Sequence, residues 1–128
     1  MKVAEMRKLR EDVVKLLYLT SMGGSFVETE YSDMVIARLD QVNARLEDLD
    51  GIISAKLENW TIDRLNYVDK AIVRYAVYEM KYLDLPPEIA INEALELTKK
   101  YSNLDDDNAK SFNNRLLQNI KDDLEQEG

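Results

Sequence analysis

Four glycines and two prolines are all that interrupt this 128-residue chain, and their placement limits what it can fold into. Gly23-Gly24 and Pro86-Pro87 stand as two isolated breaks, and the segments between them are rich in Leu, Glu, Lys and Ala. A sheet protein of this length needs many turns. Sparse punctuation with this residue usage favours helices. The apolar spacing agrees. Met6, Leu9, Val13, Leu16, Leu17 and Thr20 recur at intervals of three and four, which predicts a helix over residues 3–22 ended by Gly23-Gly24. Residues 25–32 read as a loop. Val35, Leu39, Val42, Leu46 and Leu49 then mark an amphipathic helix, with a break expected at residues 48–51 and a third helix through Ile52, Ile53 and Leu57.

Asn59-Trp60-Thr61 reads as a turn, and residues 61–65 as one short helical turn. Residues 69–82 are apolar on most sides (Ala71, Ile72, Val73, Tyr75, Ala76, Val77, Tyr78 and Met80), so this helix is expected at the centre of the core. Arg74 inside it needs a carboxylate, for which Glu93 is the expected partner. Pro87 can open the next helix, with Glu88 at its positive end and Lys99-Lys100 at its negative end. Ile91, Ala94, Leu95 and Thr98 are placed on its core face. One of Asp105, Asp106 and Asp107 is expected to cap a last helix carrying Ala109, Phe112, Leu116, Leu117, Ile120 and Leu124. The reading is an all-α single domain over residues 1–128, with about six or seven helices around one core.

Composition narrows the chemistry. The chain has neither Cys nor His, which removes disulfides, the usual zinc and iron–sulfur sites, and Ser-His or Cys-His nucleophile systems. No Gly-rich phosphate loop occurs, and the aspartate run lacks the glycine and terminal glutamate of a calcium-binding loop. No two of the 25 Asp and Glu residues stand out as an acid–base pair. The expectation is a protein that is not an enzyme and takes no metal or cofactor. A charged N-terminus and the lack of any long apolar run predict a soluble, cytoplasmic protein without a membrane segment.

The net charge of −8 argues against nucleic acid, but its distribution does not. Residues 1–10 carry Lys2, Arg7, Lys8 and Arg10 against Glu5 alone, while residues 122–127 are strongly acidic. At about 100° per residue, Arg7, Lys8, Glu11, Lys15 and Tyr18 gather opposite the apolar face of the first helix, with Arg10 at the boundary. Cations can neutralise phosphates, and an exposed tyrosine can stack on an unpaired base, a combination suited to single-stranded RNA. The plainer reading is a solvated face with pairs Arg7–Glu11 and Glu11–Lys15.

The order of residues from Asn59 onward adds a resemblance. Asn59-Trp60-Thr61-Ile62-Asp63-Arg64-Leu65 is followed by Val68-Asp69-Lys70-Ala71-Ile72-Val73-Arg74. Then come Tyr78-Glu79-Met80, Pro86, Ala90-Ile91-Asn92-Glu93-Ala94-Leu95-Glu96-Leu97, and Phe112 with Asn114 and Leu117. This series resembles the C-terminal half of NusB proteins, and the first helix, with Arg7, Lys8, Arg10 and Leu17-Tyr18, resembles their arginine-rich helix. The resemblance implies a NusB-like helical bundle in two packed groups. It also implies a transcription antitermination factor that binds boxA RNA together with the ribosomal protein NusE and joins an RNA polymerase antitermination complex on ribosomal RNA operons. By position it assigns Arg7, Lys8, Arg10 and Tyr18 to RNA, to which the exposed face of the first helix adds Lys15, and it assigns Asp69, Asn108 and Phe112 to the partner surface. Monomer and homodimer both stay open.

The chain departs from that pattern in places. Asn113-Asn114-Arg115 stands where the family usually has a small apolar residue, Asn and Gly, and Asn108 stands where an acidic residue is common. Asn113 falls within an apolar stripe and needs a hydrogen-bond partner if buried. Two alternatives remain: a protein-interaction module that binds NusE with little RNA affinity, and an accessory domain of an RNA methyltransferase. The length of the sequence disfavours the second.

Overall fold

A computed structural model describes residues 2–57, 62, 65–102 and 108–127. Among these the elements are α1 (Val3–Ser21), a 3-10 turn (Glu28–Glu30), α2 (Asp33–Asn43), α3 (Leu46–Ala55), α4 (Tyr67–Tyr82), α5 (Pro87–Tyr101) and α6 (Asn108–Glu127). The all-α expectation therefore holds for the described residues. The expected turn at Asn59-Trp60-Thr61 and the cap by Asp105, Asp106 or Asp107 lie outside them.

Local chemistry fixes several helix ends. The Ser32 hydroxyl accepts the Val35 N–H at 3.2 Å and caps α2. The Asn66 side chain accepts the Asp69 N–H at 2.7 Å and caps α4. Pro87 opens α5, where its missing N–H costs nothing, and Lys99 and Lys100 lie in the last turn. Gly23 takes φ +81°, a left-handed backbone that stops α1.

α4 is the central element. Ala71, Ile72, Val73, Tyr75, Ala76 and Val77 are all essentially inaccessible. Each large aliphatic side chain buried in this way contributes about 1.5–3 kcal/mol. α4 packs on α1, α3, α5 and α6, α1 packs also on α2, and α5 on α6. The helices thus form two groups, α1 with α2 and α3 through α6, that meet at α4. One hydrophobic cluster draws residues from all six helices.

Three expectations need correction. The break between the second and third helices falls at Ala44 and Arg45, not at residues 48–51. Arg45 leaves helical geometry, at φ −115° and ψ 8°. The redirected α3 then turns Leu49 and Ile53 fully inward. Gly51 sits inside α3 with open space beside it, so it imposes no break. Arg74 pairs not with Glu93 but with Asp50 of α3, through two 2.7 Å hydrogen bonds. The position of Arg74 on α4 faces α3, whereas Glu93 on α5 is engaged by α1. Met6, expected on the core face, is 36% exposed, as is much of the first turn of α1. One further expectation holds only partly. Leu95 is half-buried, and Ala90 and Leu97 share the core face of α5 instead.

Candidate nucleic-acid interface

The sequence placed five residues of α1 on one functional face, and the structure divides them. Arg7 is 62% exposed and lies along α5, where its Nε donates to Glu93 at 2.9 Å. Lys8 is 78% exposed on another side of the helix and reaches Asp12 at 3.2 Å. Lys15 is exposed and pairs with Glu11 at 3.6 Å. Tyr18 is half-buried. Of the two expected pairs within α1, Glu11–Lys15 forms, while Arg7 pairs across to Glu93 of α5.

Arg10, which helical phase sets at the boundary of the RNA face, is instead turned inward and is only 4% exposed. Its Nε and Nη2 donate to the two carboxylate oxygens of Glu79 at 2.9 and 2.8 Å, and Nη1 lies 3.8 Å from Glu93. A guanidinium cannot shed its charge, so once drawn between α1 and α4 it must be held by carboxylates. Burial works against its charge, yet the bond to Glu79 and the charges of Glu79 and Glu93 raise its pKa above the ordinary value. Burial pushes Glu79 above its usual carboxylate range, against the pull of Arg10. Arg10 ties the helices together and orients Glu93, which in turn holds Arg7.

The C-terminal turn of α5 completes the surface. Lys100 donates to Glu11 at 2.9 Å, and the Tyr101 hydroxyl donates to the same oxygen. The ammonium groups of Lys15 and Lys100 lie 5.9 and 5.2 Å from the centre of the Tyr101 ring, within cation–π range. The Tyr101 hydroxyl, then Lys100, hold Glu11 below its ordinary pKa, and the bond to Glu11 raises that of Lys100. A groove of about 570 Å³ runs between α1 and α5 past Arg7, Glu93, Glu96 and Lys99. By sequence position Lys99 and Lys100 complement only the helix dipole. A basic pair followed by an aromatic residue was the available signal, but its neighbourhood with α1 is tertiary.

The expected partner residues join this surface through the next residue. The Ser102 hydroxyl donates to Asp69 at 2.6 Å. Asp69 is buried in the first turn of α4 and also accepts from Asn113 of α6 at 3.1 Å. Asn113 is fully buried, as its place in the stripe implied, and donates to Thr98 as well, at 3.1 Å. Its own Oδ1 finds no hydrogen-bond partner among the described residues. Phe112 is half-buried beside Asn113, and Asn108 is exposed at the start of α6. A continuous chain of contacts therefore runs from Lys15 through Tyr101 and Ser102 to Asp69 and α6. Among the described residues, no cluster of acidic side chains is placed to hold a metal, and no helix is long and apolar enough to cross a membrane.

Known proteins resemble this chain in sequence and in fold. The chain is similar to the transcription antitermination protein NusB of Listeria innocua, with 40% identity over 97 residues that cover 75% of this chain and 73% of that protein. Its fold is similar to a solved structure of T. maritima NusB, with a TM-score of 0.73, 26% identity, and 89% of this chain and 88% of that one covered. It is also similar to a chain in the solved structure named Crystal Structure of a Plectonemic RNA Supercoil, with a TM-score of 0.79, 25% identity and coverage of 93% and 95%. The NusB family model matches residues 24–122, so the chain belongs to the NusB family of transcription antitermination proteins.

Proposed function

We propose that this protein is a non-catalytic cytoplasmic adaptor that binds single-stranded boxA RNA together with the ribosomal protein NusE, within an RNA polymerase antitermination complex. Arg7, Lys8 and Lys15 supply phosphate contacts, and Tyr18 of the same helix offers its ring to an unpaired base. Asn108 and Phe112 belong to the partner surface, and the buried Asp69 supports it through Ser102 and Asn113. The observation that carries this reading is the contact chain from Lys15 through Tyr101 and Ser102 to Asp69. It brings the cations Lys15 and Lys100 next to the partner residues, which suits an RNA shared between two proteins. Exposed cations on one helix neutralise phosphates, and unpaired bases find aromatic surface close by.

A second reading has its own support. Arg7, Lys8 and Lys15 each already face a carboxylate, in a chain of net charge −8. Under that reading the protein binds NusE but adds little RNA affinity. The deciding experiment measures binding of labelled boxA RNA across a salt series, with and without NusE, for the parent and for Arg7→Ala/Lys8→Ala. The adaptor reading expects salt-sensitive binding, strengthened by NusE and weakened several-fold in the variant, about tenfold for two lost phosphate contacts. Affinity no higher than that of NusE alone would transfer the conclusion to the interaction module.

A further inference from the structure

A single oxygen of Glu11 accepts two hydrogen bonds from α5 and faces a third, ion-paired ammonium from α1. Lys100 Nζ lies at 2.9 Å, Lys15 Nζ at 3.6 Å, and the Tyr101 hydroxyl completes the set. Both lysines flank the Tyr101 ring, which keeps their ammonium groups together despite their like charge. The cradle opens to solvent, since Lys15 and Lys100 are 53% and 58% exposed. Two ammonium groups and a hydroxyl converging on one anionic oxygen are the donor set that a phosphodiester oxygen takes.

We propose that Glu11 occupies a preformed phosphate cradle built by Lys15, Lys100 and Tyr101, and that an RNA phosphate displaces its carboxylate on binding. This rests on the RNA-binding reading above and adds α5 to the interface. Glu11 is itself 25% exposed, so its side chain has a route to solvent while α1 stays in place. The carboxylate keeps the two lysines ordered in the free protein and acts as an intramolecular competitor. It therefore lowers RNA affinity and its salt dependence, because cations already paired release fewer counterions. The depressed pKa of Glu11 agrees with a carboxylate that is fully charged at neutral pH.

The test compares Glu11→Gln, Lys15→Ala/Lys100→Ala and the triple variant, using labelled boxA RNA with NusE present and Arg7→Ala/Lys8→Ala run alongside. Glu11→Gln retains side-chain shape and removes the competing charge. It is expected to bind about three- to tenfold more tightly at low salt, with a log–log salt slope steeper by about 0.7 for each cation freed. The gain is expected to vanish in the triple variant. Melting curves establish that each variant is folded. Unchanged or weaker binding by folded Glu11→Gln, while Arg7→Ala/Lys8→Ala lowers affinity, overturns the cradle and leaves the RNA reading intact. Insensitivity to both sets of substitutions overturns the two together.

Discussion

Arg10→Ala removes the cation from a pair whose other member, Glu79, is 3% exposed. The loss exceeds one surface ion pair. It leaves a buried carboxylate without its two 2.8–2.9 Å donors in the contact between α1 and α4. Breaking such a pair from one side costs about 3–5 kcal/mol. Unfolding a chain of this length releases about 0.27 kcal/mol per kelvin, so the melting temperature should fall by roughly 11–19 °C. The pH dependence separates this account from simple loss of packing. Burial already raises the pKa of Glu79, and removing Arg10 raises it further. A carboxyl that holds its proton more tightly when folded gains stability below its folded pKa and loses it above. The deficit of Arg10→Ala should therefore be largest near neutral pH and shrink as the solution is acidified toward the ordinary glutamate value of 4.5. Glu79→Gln leaves Arg10 charged at every accessible pH, so its deficit should not recover in that range. Replacing both, as Arg10→Met/Glu79→Leu, should return stability to within about 2 kcal/mol of the parent. Denaturant titrations at several pH values measure all four proteins. A deficit under about 1 kcal/mol for Arg10→Ala, or one insensitive to pH, would refute the reasoning.

Three further outcomes follow. Gly51→Ala should stabilise the protein by about 0.5–1 kcal/mol in thermal melts, because Gly51 lies within α3 and a methyl group there meets nothing within 4 Å. Asn113→Ala should cost about 1–3 kcal/mol in denaturant titrations, since it takes a donor from Asp69 and Thr98 inside the core. Glu11 and Asp48 are held below their ordinary values of 4.5 and 3.8, Glu11 first by Tyr101 and Asp48 first by Lys81. Both are charged at neutral pH and more readily protonated when unfolded. Their contribution is complete above those values and lost as pH falls through the lower folded ones, by under about 1 kcal/mol each at these partly exposed sites. An acid titration comparing the parent with Glu11→Gln and Asp48→Asn measures that loss.

Much of this protein is written in local pattern. Spacing of three and four residues located the helices, the Gly and Pro pairs separated them, and the apolar circumference of residues 71–80 put α4 at the centre. Period and punctuation act within a few residues of chain, so a single sequence carries them. The ordered residues from Asn59 onward also carried the family. What the sequence left open depends on which faces meet. Helical phase placed Arg10 near the edge of a cationic face, and only the approach of α4, bringing Glu79, turned it inward. Arg74 had several carboxylates available, and the redirection of α3 at Arg45 selected Asp50. Asn113 looked anomalous until α4 and α5 brought Asp69 and Thr98 beside it. The cradle of Lys15, Lys100 and Tyr101 joins residues more than eighty positions apart, so no local rule could assemble it. Periodicity determines which side of a helix is apolar, but the partners of a charge are fixed by the helices that close over it.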